Sequence, residues 1–255
     1  MFKSSLCFFF MLILKLSVAQ TPLYENIWVV WNIGQGQWVT HITTESCQHF
    51  DFGGEPGRFH PLKSKLLKTC GEKRNILYLS HWDVDHYLHL FELSRSLPMV
   101  CWQQQPVLAP QEKLALQAKK LPLPWCPQSW TSQLQPILWR PSTFDQSALS
   151  KNESSLVLLE QNVLLPGDSP TKMENKWISE ITALEKTKFL VLGHHGSQSS
   201  TGTKLLKALK NLREVIASAR YRKYHHPNTK TLNRLQALHV PVLKTEDWGN
   251  IWFTP

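Results

Sequence analysis

Nine side chains of metal-ligand type stand where apolar runs end: Asp51, His81, Asp83, Asp85, His86, Asp168, His194, His195 and His226. Four of them fall within six positions of one stretch, SHWDVDHYLH (80–89), directly after the apolar run NILYL. Imidazole nitrogens and carboxylate oxygens together suit borderline to hard divalent cations, manganese as well as zinc. Ligands at alternate positions of a compact loop present His81 and Asp83 to one cation, and the following Asp85-His86 pair turns towards a second. A carboxylate from another strand, Asp168, bridges the two, and His226 is the further ligand expected from its place after a strand and before a helix. Two cations with open coordination positions would supply hydrolytic chemistry. For any single residue a blander role competes, since Asp83 and Asp85 could also cap a helix beginning near 86. The ensemble at successive strand ends carries the metal reading. His225 reads as a loop surface residue, and His41, His49, His60, His89 and His239 as structural.

The elements that must position these groups follow from hydrophobic periodicity. IWVVWNI (27–33) and QWVTHI (37–42) predict strands joined by Gly34-Gln35-Gly36, and QHFDF leads into Gly53-Gly54. A helix is predicted near 61–69, the strand NILYLS follows, and a second helix begins after Asp85. Between 98 and 150 the pattern weakens into Pro, Gln and Trp, with one helical piece near 111–120, which predicts an irregular, variable region. Alternation then returns. SSLVLLE (154–160) and NVLLPGD (162–168) form a hairpin, and helix 171–186 precedes the strand KFLVLG. Helix 203–211 precedes EVIASA, and helix 229–238 is followed by PVLKT and NIWFT. Strands alternating with helices predict an α/β fold in which strand ends share one edge. The eleven Trp, scattered through the chain, are expected in the core or in pocket walls.

These segments resemble the metallo-β-lactamase-fold domain at the C-terminal end of the competence protein ComEC, from about residue 27 to 254. NIGQGQW is similar to that family's Asp-Val-Gly-Gln-Gly-Asp signature, DFGG to its Asp-x-Gly-Gly segment, and SHWDVDH to its Ser-His-x-Asp-x-Asp-His loop. NESSLVLL, LLPGD, LGHHGSQSS and HPNTKTLNRL with VLKTEDWGNI match its later motifs in the same order. The resemblance implies a four-layer αβ/βα sandwich, a single domain over 20–255, with two divalent metal ions between the sheet edges. It implies a metal-dependent hydrolase, a nuclease or phosphodiesterase acting on DNA in DNA uptake or processing. Asp85, His194 and His195 are then the catalytic candidates, the two histidines either completing the metal shell or meeting phosphate. Gly196 and Ser197 are candidate substrate contacts through the Gly-rich turn, Ser197 equally a helix cap, and Asp51 orients a ligand from behind. This chain departs from the family's pattern at Asn32 and Gln37, where acidic residues are usual, and no His precedes Asp168. Loss of a carboxylate at Gln37 is expected to weaken metal affinity or substrate positioning. A non-catalytic DNA- or partner-binding module and a hydrolase of a small ester or lactone are the competing functions.

The N-terminus reads as a secretory leader over 1–19. MFK is positive, LCFFFMLIL is apolar but too short to span a bilayer comfortably, and Ser17-Val18-Ala19 offers small residues for cleavage. An uncleaved N-terminal anchor is the weaker alternative. The expected product is exported, periplasmic or extracellular, without a membrane span, and would work beside a separate DNA-uptake apparatus. Cys7 leaves with the leader, and the remaining Cys47, Cys70, Cys101 and Cys126 are expected to form disulfides, sequence order favouring Cys47 with Cys70 and Cys101 with Cys126. Net charge is +9; removing Lys3 and Lys15 leaves 26 basic against 19 acidic residues, or +7, compatible with an anionic partner.

Overall fold

In the computed structural model the described residues are 26–106, 108–131, 136–142 and 149–255. The predicted leader lies outside them. Twelve strands among these residues form two six-stranded sheets. The first runs β12-β1-β2-β3-β4-β5, with β1 Ile27–Val30, β2 Val39–Ile42, β3 Ser46–Phe50, β4 Arg74–Tyr78, β5 Val100–Gln104 and β12 Ile251–Phe253. The second runs β11-β10-β9-β8-β7-β6, with β6 Ile137–Trp139, β7 Val157–Glu160, β8 Val163–Leu165, β9 Phe189–Val191, β10 Glu214–Ala217 and β11 Val242–Lys244.

Strand side chains alternate between two apolar environments, which is why the runs carry hydrophobic residues on both faces. On β4, Ile76 and Tyr78 point between the sheets, where they meet Leu158, Val163, Leu165, Val191 and Ile216. Leu77 and the following Leu79 point the other way, against helices α1 (Phe59–Cys70), α3 (Leu90–Ser96) and α4 (Lys113–Lys119). On the second sheet the outer layer is α6 (Thr171–Glu180), α7 (Thr203–Ala208) and α9 (Thr229–Gln236), packed on Val157, Leu159, Leu164 and Leu190. The result is a four-layer α/β/β/α sandwich. Trp28, Trp31, Trp38, Trp102 and Trp177 are wholly buried in it, whereas Trp125 and Trp248 are exposed.

The segment 98–150, expected to be irregular, supplies one edge strand of each sheet, β5 and β6. Their strand signal is weak because the apolar runs are short: β6 is three residues long with Ile137 and Leu138 exposed, and β5 turns polar at Gln103-Gln104. Both expected disulfides are present. Cys47–Cys70 ties β3 to the end of α1, and Cys101–Cys126 ties β5 to the strip that pairs at Trp102 and Trp125.

β3, β4 and β5 are parallel, as are β8, β9, β10 and β11. The residues that follow β3, β4, β8, β9 and β10 therefore emerge at one end of each sheet, and the packing of the sheets brings those ends together.

Candidate metal centre

The loop after β4 carries Ser80, His81 and Trp82 into the one-turn helix α2 (Val84–Tyr87). Asp83 stands at its N-cap, but its side chain makes no capping hydrogen bond. His86 is wholly buried with both ring nitrogens engaged by carboxylates: Nδ1 lies 2.7 Å from Asp51 Oδ2 and Nε2 lies 3.1 Å from Asp168 Oδ1. The approach of Gly53 to this loop is so close that a Cβ there would collide with the Asp85 carbonyl, and the Phe52 N–H donates to the carbonyl of His86.

From the second sheet, the turn after β8 delivers Asp168, and Gly193–Gly196 after β9 delivers His194 and His195. Both histidines adopt left-handed φ values of 50° and 54°, a conformation that costs energy for residues with a Cβ and gathers at functional sites. The turn is fixed from several sides. His194 N–H donates to Gly167 O at 3.0 Å, and Asn228 N–H donates to Gly196 O at 2.9 Å. Gly196 has φ +86°, and a Cβ on it would stand 2.7 Å from Pro227 Cβ. Behind the turn, buried Glu174 of α6 accepts from the N–H groups of Thr201 and Gly202.

The two sets of loops bring together two groups of possible ligand atoms. His81, His86 and Asp168 form one, Asp85, His86 and His195 the other, with the ligand atoms of each group within 4.8 Å of one another. His195 Nε2 is 3.1 Å from Asp85 Oδ2 and 3.3 Å from His86 Nε2. His195 Nδ1–H donates to the Ser218 carbonyl at 3.1 Å, which leaves Nε2 directed at the centre. Asp83 sits on the other side, Oδ2 3.7 Å from His81 Nε2 and Oδ1 held 2.8 Å from Lys151 Nζ. His194 Nε2 approaches Asp168 Oδ2 to 3.5 Å and Asn152 Nδ2 to 3.4 Å.

This donor set fits a divalent cation. His81 Nε2 and Asp168 Oδ1 are buried polar atoms without an aligned hydrogen-bond partner, although carboxylate and imidazole neighbours stand close by. Buried polar atoms left this way are costly unless something else engages them. Imidazole Nε2 atoms and carboxylate oxygens converging on one point meet the condition that a cation requires. Burial alone would raise the Asp168 carboxyl, but the His86 and His195 rings beside it hold it well below the usual carboxylate range. Burial alone would lower His86, but Asp168 and Asp51 hold it well above the ordinary histidine value. Asp83 is held down at about 2 by the His81 ring, against burial and with help from Lys151.

The structure does not bring His226 into either group. Its ring centroid is 6.1 Å from that of His194, and its Nδ1 meets Gln35 Nε2 at 3.2 Å. Ser197 does not cap the helix after it, since α7 begins after Gly202; its hydroxyl meets Ser199 Oγ at 3.0 Å. Gln37 stands behind the site, its Nε2–H donating to Asp51 Oδ2 at 2.8 Å. A carboxylate there would face the Asp51 carboxylate, so the amide supplies a donor where an acid would repel. Sequence reasoning passed over Ser80, whose N–H and Oγ both bond Asp51, and also Lys151, Asn152 and Ser218. Ser80 directly precedes a ligand and Asn152 opens the NESS segment, the two signals available in the sequence.

No protein-family model matches the chain. Among solved structures it superposes on the metallo-beta-lactamase fold protein YhfI from Bacillus subtilis with TM-score 0.53 and 11% identity, covering 90% of this chain and 99% of that one. It superposes on Igni18, described as a novel metallo hydrolase from the archaeon Ignicoccus hospitalis, with TM-score 0.54 and 13% identity over 90% and 99%. The chain has the metallo-β-lactamase fold. The CmlA beta-hydroxylase shares that fold at TM-score 0.53 and 12% identity, over 89% of this chain and 54% of that one, so the fold by itself does not select the reaction. Among curated sequences the chain is 26% identical over 236 residues to the competence protein ComA of Neisseria gonorrhoeae, covering 91% of this chain and 33% of that protein. It is 34% identical over 108 residues to ComE operon protein 3 of Bacillus subtilis (strain 168), covering 41% of this chain and 14% of that protein. The chain thus spans a third or less of the curated relatives it matches.

Proposed function

We propose that this protein is an exported phosphodiesterase that hydrolyses DNA with two divalent metal ions, manganese or zinc, and that it serves DNA uptake or processing. The observation that carries this reading is the pair of His/Asp groups sharing His86, in a chain similar to a competence protein over 91% of its length. His81, Asp83 and Asp168 would hold one ion, and Asp85, His86 and His195 the other, with Asp168 between them. Such ions supply a water nucleophile at neutral pH and offset the charge that develops on a phosphodiester.

The chain's own residues do the positioning. Asp51 accepts from His86 Nδ1–H and so aims His86 Nε2 into the site, and the Ser218 carbonyl does the same for His195. His194, more open than His195, and His226 at the rim face an incoming phosphate, with Asn152 placing the His194 ring. The positive balance of the sequence favours a polyanion. Two disulfides suit an oxidising compartment, and among the described residues no helix is long and apolar enough to cross a membrane.

The test is cleavage of single- and double-stranded DNA by metal-stripped protein with manganese, zinc or magnesium restored, beside Asp85→Ala. Metal-dependent cutting that disappears in Asp85→Ala is expected. A folded wild-type protein that binds metal but cuts no DNA would sink the nuclease reading.

A further inference from the structure

Next to the centre the surface opens into a cavity of about 480 Å³. It is lined by Trp82, one position from both His81 and Asp83, and by Leu108, Pro110, Glu112, Leu149 and Lys151. That volume lies in the range of small-molecule sites, roughly 300–1,000 Å³. Apart from Trp82, these walls come from the segment that the sequence marks as variable, together with the adjoining Lys151.

Lys151 joins the cavity to the metal centre. Its ammonium bonds Asp83 Oδ1 at 2.8 Å and pairs with Glu112, while its side chain stays 39% exposed. An ammonium carries three N–H donors and two are spent on carboxylates, so one is left for a ligand. Glu112 on the rim repels a second anion, so an uncharged group belongs inside the cavity and an anionic one at its mouth, beside Lys151.

On the phosphodiesterase reading, we propose that this cavity is the subsite for the nucleoside attached to the scissile phosphate. Lys151 is then the residue that contacts that phosphate, and the cavity beyond it sets the preference for a nucleotide ester. The base and sugar lie against Trp82, Leu108 and Leu149, and the phosphate reaches from Lys151 towards Asp168 and His194.

The test compares kcat/KM for bis(4-nitrophenyl) phosphate with that for thymidine 5′-(4-nitrophenyl phosphate), using protein reconstituted with manganese and, separately, with zinc. The wild type is expected to prefer the nucleoside ester by about ten-fold or more, the scale of discrimination a shaped pocket supplies. Ala109→Trp, which fills the cavity from an exposed position on its wall, should bring the ratio towards one, whereas Lys151→Ala, which removes a contact to the phosphate common to both esters, should lower kcat/KM for both. Lys151→Arg, which keeps a cation, should retain most of the activity towards both. Lys151→Ala should also flatten the salt dependence of DNA binding by roughly 0.7–0.9 in the log–log slope, the share of one phosphate contact. Equal use of both esters by the wild type, a preference that survives Ala109→Trp, or an undiminished kcat/KM in Lys151→Ala overturns the subsite and leaves the phosphodiesterase reading standing. Turnover of neither ester overturns both.

Discussion

Asp51→Asn isolates the group behind the metal centre. Asp51 is 2% exposed and accepts four hydrogen bonds: Oδ1 from Ser80 N–H at 2.7 Å, and Oδ2 from Gln37 Nε2–H at 2.8 Å, Ser80 Oγ–H at 2.9 Å and His86 Nδ1–H at 2.7 Å. Asparagine keeps the shape but offers one acceptor oxygen. With its NH2 towards Ser80 N–H one buried donor loses its partner; with the NH2 towards Gln37, Ser80 Oγ and His86, up to three do. The first orientation is cheaper, and a lost charge-assisted bond plus an orphaned donor costs about 2–4 kcal/mol. For a chain of this size that lowers the melting temperature of the metal-free protein by about 4–16 °C. His86 also loses its anionic partner, which should weaken metal binding by about 10–100-fold. Thermal melts of stripped protein and calorimetric titration with manganese and zinc read the two effects separately. Wild-type metal affinity in folded Asp51→Asn would refute the claim that Asp51 sets the His86 ring for its cation.

Two further outcomes are expected away from the site. Burial lowers His49 to about 4, its Nε2–H bonding Asn75 while Nδ1 accepts from Trp38 and Thr40. A histidine with a depressed folded value favours the folded state fully above about 6.5 and loses that contribution as pH falls towards 4, by up to about 1.4 kcal/mol per pH unit. Urea unfolding of wild type and His49→Gln from pH 7 to 4.5 should show the variant with the shallower decline; parallel curves would refute it. Removing the Cys47–Cys70 bridge, whose cysteines are 23 positions apart, by the double Cys→Ser change should cost about 3 kcal/mol. Equal denaturation midpoints for oxidised wild type and the double variant would contradict that.

The candidate ligands were legible because the chemistry is written in residue type. Few other functions would crowd two His and two Asp into 81–86 directly after an apolar strand, then repeat His or Asp after four more. The alternation of strands and helices fixed the α/β class for a similar reason, since the periods of 2 and 3.6 are local properties of the chain. The strands β5 and β6 were not legible, because VCWQQ and ILW are short runs among Pro, Gln and Trp and set no period of their own. Nor was the sorting of the site. That His195 joins Asp85 and His86 while His226 stays at the rim depends on the left-handed turn at 194–196 and its packing on Pro227. Gln37 looked like a lost acid until the fold set it 2.8 Å from Asp51, where a donor is what the carboxylate needs. Lys151 carried no signal at all, because its role comes from reaching Asp83 across 68 positions of sequence. Residue type and local period determine which groups this protein can use. Long-range packing, which no local pattern encodes, decides which of them meet.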